Sequence, residues 1–245
     1  MSISGLQRLR LASAQRLPGG GSPYTWRLPR NQAAAAVDYA RAGRVLSRRD
    51  PVIRELIRAH GDCGLARVPR ADPFHALVHA IIAQQLSTRS AASIERRFVA
   101  LFDGRPTPRA VRATPDERLR GAGISPQKLR YLRDLCDHLL DGSLDLAGLG
   151  SLSDDEVIAR LTQVKGIGRW TADIFLMFTL LRPDVFPMGD LGLVRAIQKT
   201  YGLRSVPSPE RLMKLGEPWR PYRSVACWYL WASLDAAQPG GGAWG

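Results

Sequence analysis

Leu161–Tyr201, LTQVKGIGRWTADIFLMFTLLRPDVFPMGDLGLVRAIQKTY, is the stretch whose reading decides the fold. It reads as the end of an amphipathic helix, a tight turn on Gly166-Ile167-Gly168, a second helix, a loop ending in Gly189-Asp190, and a third helix. Val164, Ile167 and Ala172 supply the small apolar contacts that let two helices close across a short hairpin. The glycines leave the turn's backbone bare. Exposed amides beside a helix N-terminus form an anion site, because unpaired N–H groups and the positive end of the helix dipole both face outward. With Lys165 and Arg169 flanking the turn, the expected anion is a nucleic-acid phosphate.

The rest of the chain is consistent with such a partner. Its 245 residues suffice for one or two sizeable cores without covalent staples. A formal net charge of +13, supplied mostly by arginine, points to a polyanion. Nucleic acid is favoured over a membrane surface, and no uninterrupted apolar run approaches the roughly 20 residues a spanning helix needs. Cys63, Cys136 and Cys227 are scattered and odd in number, which argues for reduced, buried thiols in an intracellular protein.

Before Asp50 the pattern is different. Residues 1–50 hold nine arginines against Asp38 and Asp50, with Gly19-Gly20-Gly21, an Ala33–Ala36 run and no sustained periodicity. Residues 1–42 are expected to be a basic, poorly ordered arm. An Arg-rich, acid-poor start also resembles an organelle transit peptide, against the plainer reading of a biased leader without an address.

From Asp50 onward the chain reads as helical. Asp50-Pro51 is a cap and first turn, followed by the stripe Val52, Ile53, Leu56 and Ile57. Phe74, Leu77, Val78, Ile81, Ile82 and Leu86 predict a helix from about Pro73 to near Ser87, and Ala91, Ile94, Phe98, Leu101 and Phe102 another. Ser125-Pro126 opens a helix bearing Leu129, Leu132 and Leu139, and Ser153 with Glu156 makes a capping box before the hairpin. No segment alternates for long enough to be a strand. The fold class is therefore all-α. His75 and His79 have metal-ligand spacing on one helix, but no third ligand accompanies them, and a solvated or hydrogen-bonded pair is the favoured reading.

The combination of Lys165-Gly166-Ile167-Gly168 and Thr171-Ala172 with Pro187-Met188-Gly189-Asp190 resembles the helix-hairpin-helix superfamily of DNA glycosylases. It is most similar to the 3-methyladenine DNA glycosylase II branch, from about Asp50 to about Asp235. The resemblance implies two helical subdomains with a DNA-binding cleft between them. Residues 71–183 would form the hairpin-bearing subdomain, 43–70 plus 184–235 the flanking one, and 236–245 a tail. It also implies that Lys165, Gly166, Ile167, Gly168 and Arg169 bind a DNA phosphate. Asp190, at a helix start, would be the catalytic carboxylate facing Trp170 across the cleft; position alone would read it as an N-cap. Cleavage of an N-glycosidic bond builds positive charge on the sugar, so a fixed carboxylate would either stabilise that charge or activate water, and both roles stay open.

Relatives that nick the strand carry a lysine where this chain has Trp170, since an amine forms a Schiff base and an indole cannot. The resemblance therefore implies a monofunctional glycosylase that flips out alkylated purines such as 3-methyladenine and 7-methylguanine and leaves an abasic site. A cationic alkylated purine stacks well on indole and phenol faces, which would make Trp170, Trp231 and Tyr222 a base pocket. Ala80–Ser87 resembles the segment ending in the loop pushed into DNA, with Gln85 or Leu86 as the wedge; Leu86 alternatively completes its helix's apolar face. Gly123–Leu129 resembles another signature of the family, although Ser125 there reads first as a helix cap. The implied partner is double-stranded DNA with damaged bases, met in the bacterial cytoplasm or nucleoid or in an organelle, by a monomer. No cofactor is expected. Three cysteines cannot make the four-cysteine iron–sulfur loop of some relatives, and hairpin carbonyls are a candidate place for a monovalent cation. Two other readings stay open: a non-catalytic hairpin module that only binds DNA, and a glycosylase for a mismatched or oxidised base.

Overall fold

A computed structural model describes residues 37–67 and 72–235. Residues 1–36 of the expected arm and the tail 236–245 lie outside them. Among the described residues there is no strand; the elements are helices joined by short connections. They are α1 (Tyr39–Arg49), α2 (Pro51–His60), α3 (Pro73–Ala83), α4 (Thr88–Ala100), α5 (Pro108–Ala113), α6 (Asp116–Gly121), α7 (Pro126–Leu140), α8 (Asp154–Leu161), α9 (Arg169–Phe178), α10 (Leu191–Thr200), α11 (Pro209–Gly216) and α12 (Arg223–Asp235). Short 3-10 turns occupy Gly64–Arg67, Gly148–Ser151 and Glu217–Trp219.

Side-chain caps set where most of these helices begin. Asp38, Asp50, Asp72, Ser87, Thr107, Ser125, Ser153, Asp190 and Ser208 each accept a hydrogen bond from a first-turn amide, relieving one of the donors that a helix start leaves unpaired. Ser153 and Glu156 complete the expected capping box. Two features differ from the sequence reading. Among the described residues the first helix begins at Tyr39, capped by Asp38, ahead of the one expected from Asp50. The stripe responsible is sparse, just Ala42 and Leu46 buried among arginines, so its period does not stand out from an Ala/Arg-biased background. And α3 stops at Ala83, with Ser87 serving as cap of the following helix, so Leu86 sits in the connection instead of on the helix face.

The described chain divides into two compact units, 72–180 and 37–67 with 181–235. In the first, α3 packs on α4, α7 and α9, while α5 and α6 lie on α7 and α8 on α9. Leu77, Ile81, Phe98, Leu132 and Leu161 are completely buried there. In the second, α12 packs on α1, α2 and α10. Its core includes Leu46, Ile53, Trp219 and Trp231, all without exposed surface.

The second unit is tied together by the buried carboxylate of Asp50. One oxygen, Oδ1, caps α2 through the amides of Val52 (2.8 Å) and Ile53 (3.1 Å). The other, Oδ2, accepts from the Tyr201 hydroxyl (2.5 Å) and the Trp219 indole N–H (2.8 Å), residues far away in sequence. Burial first, and then this carboxylate, push the Tyr201 phenol well above its usual range. Removing the carboxylate would strand two backbone amides, a phenol hydroxyl and an indole N–H at a buried to part-buried site. Asp50→Ala is therefore expected to cost about 3 kcal/mol or more of folding free energy, measured by chemical denaturation, whereas Tyr201→Phe should cost about 1–2 kcal/mol.

Candidate active site and nucleic-acid interface

The hairpin forms because Gly166 carries no side chain. It sits at φ +82°, and a Cβ there would stand 2.2 Å from Cδ2 of Tyr131 on α7. The turn therefore closes directly against an aromatic ring. Gly168 is different: its backbone is extended, a Cβ there would meet nothing within 4 Å, and it opens α9 with no side-chain cap. Gly168 and Arg169 are exposed, whereas Ile167 is buried beneath the turn, so the first amides of α9 stand at a bare helix start.

Both cations of the hairpin have acidic partners within the same unit. Asp134 of α7 accepts from the Lys165 backbone amide (2.8 Å) and from its ammonium (2.7 Å). Burial pushes Asp134 up, but these bonds more than offset it and hold the carboxyl below its usual range. Arg169 Nε donates to Asp173 Oδ1 at 3.0 Å. Burial raises Asp173 despite that bond. Neither pairing stands out in the sequence: Asp134 is distant from Lys165, and Asp173 is masked by the ordinary i,i+4 spacing of a helical ion pair.

Asp190 is the N-cap of α10 and is also 2% exposed. Its Oδ1 accepts from the Leu193 amide (2.6 Å) and from the Trp231 indole N–H (3.0 Å). Trp231, on α12, is completely buried, so its edge is committed to orienting this carboxylate. Tyr222 lies half-buried just before α12. In the other unit, Trp170 is half-buried in the first turn of α9. Of the two wedge candidates, Gln85 is exposed and held at φ +56°, a left-handed conformation that costs a non-glycine residue about 1 kcal/mol, while Leu86 is half-buried. The neighbouring Gln84 side chain reaches the hairpin, its amide donating to Gly166 O at 2.7 Å.

The arrangement is a bare helix-hairpin-helix turn on one unit and a dry, doubly held carboxylate at a helix start on the other. A family model described as HhH-GPD superfamily base excision DNA repair protein matches residues 78–221. The chain belongs to the HhH-GPD superfamily. It is 32% identical over 198 residues to the alkylbase DNA glycosidase-like protein mag2 of Schizosaccharomyces pombe, covering 79% of this chain and 93% of that one. The solved structure of 3-methyladenine DNA glycosylase Mag1 from the same yeast, in complex with abasic DNA, aligns at 32% identity with a TM-score of 0.72, over 80% of this chain and 98% of that one. The DNA-3-methyladenine glycosidase of Bacillus halodurans aligns at 35% identity with a TM-score of 0.69, over 81% and 89%.

Other features of this HhH-GPD chain take structural forms. His79 Nδ1 is hydrogen-bonded to the Glu95 carboxylate at 2.9 Å, and His75 Nε2 lies 3.2 Å from the other oxygen of the same carboxylate. Among the described residues no group of three or more His, Cys, Asp or Glu is arranged to hold a metal, and no helix is long and apolar enough to cross a membrane. Cys63, Cys136 and Cys227 are free and buried.

Two measurements follow from these contacts. Gly166→Ala is expected to lose about 3 kcal/mol of stability in chemical denaturation, because φ and the Tyr131 ring both oppose a methyl group, whereas Gly168→Ala should cost about 1 kcal/mol or less. Burial alone would raise Glu95, but its bonds to His75 and His79 and their charge win and hold it at about 2, below its unfolded value of 4.5. Its contribution is thus fully present above pH 4.5 and is lost as the pH falls toward 2, so Glu95→Gln should flatten the acid limb of the stability curve in that window.

Proposed function

We propose that this chain is a monofunctional DNA glycosylase that removes alkylated purines, 3-methyladenine and 7-methylguanine among them, from duplex DNA by hydrolysis of the N-glycosidic bond. The observation that carries the reading is the Asp190 carboxylate, buried at the start of α10 and held by a backbone amide and an indole N–H. A negative charge near the duplex weakens the grip on phosphate, so a protein that only binds DNA gains nothing from a carboxylate there. Membership of a base excision family and the names of the similar proteins support the substrate class.

In this mechanism Asp190 supplies a fixed negative charge at the sugar as the glycosidic bond breaks and positive charge spreads over C1′ and the ring oxygen. The Leu193 amide and the Trp231 N–H hold it in place, so little reorganisation is needed when the charge develops. Tyr222, in the unit that carries Asp190, offers a ring face to the cationic base, where a cation–π contact contributes about 0.5–2 kcal/mol. Trp231 acts on the carboxylate through its edge. A labile, cationic leaving base needs only modest further help, so the reading includes a broad range of alkylated purines.

The remaining assignments follow from the same reading. The bare amides at Gly168 and Arg169 bind a backbone phosphate, with Lys165 and Arg169 exchanging their carboxylate partners for it. Gln85 is the wedge that fills the gap left by the everted nucleotide, its exposure favouring it over Leu86. Val164 and Gly166 each have one carbonyl lone pair engaged by a protein donor, which leaves a second for a monovalent cation at the turn. The protein acts as a monomer on DNA inside the cell. With Trp170 in place of an amine, no Schiff base forms and the strand stays intact.

Single-turnover assays on methylated duplex DNA test this. Wild type should release both bases and leave sites that break only after alkali. Asp190→Asn should fold and bind DNA but slow release about 100-fold or more. Strand breaks without alkali would refute the monofunctional assignment. DNA binding without release of any methylated base would refute alkyl-base excision itself.

A further inference from the structure

The connection 84–87, between α3 and α4, is held from two directions by side chains that the mechanism above does not use. On one side, Lys128 of α7 donates from Nζ to Ile82 O at 2.7 Å. Ile82 lies in the last turn of α3, where carbonyls lose their intrahelical donors and the negative end of the dipole gathers, so a cation there is favourable. On the other side, the Gln84 amide donates to Gly166 O, also at 2.7 Å. Directly after these anchors Gln85 stands exposed, in the left-handed region that a free glutamine seldom visits. The Gly123–Leu129 signature thus has a use beyond the Ser125 cap: it delivers Lys128 to the end of α3.

We propose that Gln84 and Lys128 are positioning residues that clamp the 84–87 connection to the hairpin and to α7, so that Gln85 enters the duplex as a rigid wedge in register with the hairpin's grip on the phosphate. The proposal rests on the assignment of Gln85 as the wedge. A wedge does work only if the backbone behind it resists being pushed back, because separating stacked bases opposes its entry. Two bonds to backbone carbonyls, at Ile82 and from Gln84, provide that resistance immediately before the wedge. The Gly166 carbonyl belongs to the turn that is expected to hold the phosphate, so grip and insertion share one rigid body. Burial also lowers the Lys128 ammonium from its ordinary pKa, as desolvation of a part-buried amine does.

The template separates this role from a merely structural one. Everting a base from single-stranded DNA needs no wedge, whereas removing it from a duplex does. Gln84→Leu and Lys128→Met keep the side-chain volume and remove the donor. Each should lower the single-turnover rate on methylated duplex about fivefold to tenfold, the worth of one such bond, and lower it far less on methylated single strands. The ratio of the two rates is the readout, with Gln85→Ala measured in parallel as the wedge control. Lys128→Arg should restore the wild-type ratio, and Gln84→Glu, which cannot donate, should behave like Gln84→Leu. Equal losses on both templates, or no loss on duplex, would overturn the clamp. A Gln85→Ala ratio equal to wild type would overturn the wedge beneath it and the clamp with it. Failure of wild type to release bases from either template is the separate outcome that sinks the glycosylase reading.

Discussion

The contact between the Gly166 backbone and the Tyr131 ring is the constraint on which the hairpin-bearing unit depends. The turn between α8 and α9 has no room for even a methyl group, so the ring of α7 serves as the floor against which the loop is folded. Everything nearby takes its position from that floor. Asp134, one turn beyond Tyr131 on α7, catches the amide and ammonium of Lys165; Gln84 reaches the carbonyl of Gly166 itself. A loop fixed at its amide side by α7 and at its carbonyl side by the end of α3 cannot drift, and the bare start of α9 follows it in a defined direction.

The other unit uses one local device twice. Asp50 and Asp190 are both helix N-caps, both buried, and both receive an indole N–H, from Trp219 and Trp231. The first saturates its two oxygens with donors and closes a core. The second lies at a helix start within the segment that the family model covers and is the carboxylate proposed to do chemistry. Local capping geometry does not distinguish them, because an aspartate accepting a first-turn amide looks alike in either role. What separates them is the rest of the molecule: the segment each belongs to and the chemistry its neighbours allow.

The charges near the hairpin show how a strongly basic protein avoids dissipating its grip. Lys165 and Arg169 are paired with Asp134 and Asp173, which holds their long side chains in place near the turn. The cations are exposed while their carboxylates are largely buried, so the outward sides of both cations stay open to an approaching anion. In the proposed binding mode, net charge attracts the polyanion, while the amides of a fixed helix start select where its phosphate rests.

Much of this was legible in the sequence by itself. Helix starts at Pro51, Pro126 and Asp154 follow from caps and first-turn prolines, which act within a few residues and need no knowledge of the fold. The all-α class follows from the spacing of apolar residues, and the hairpin from GIG between two such stripes. Only the tertiary structure decided the rest. The sparse stripe of α1 is buried at Ala42 and Leu46 in a helix that packs on α2 and α12. Tyr131, Asp134, Gln84 and Lys128 converge on one turn and one helix end, and Trp231 turns its edge to Asp190, through contacts between residues tens of positions apart. Such pairings have no period, because they are set by how packed helices bring distant positions together and not by the geometry of any one helix.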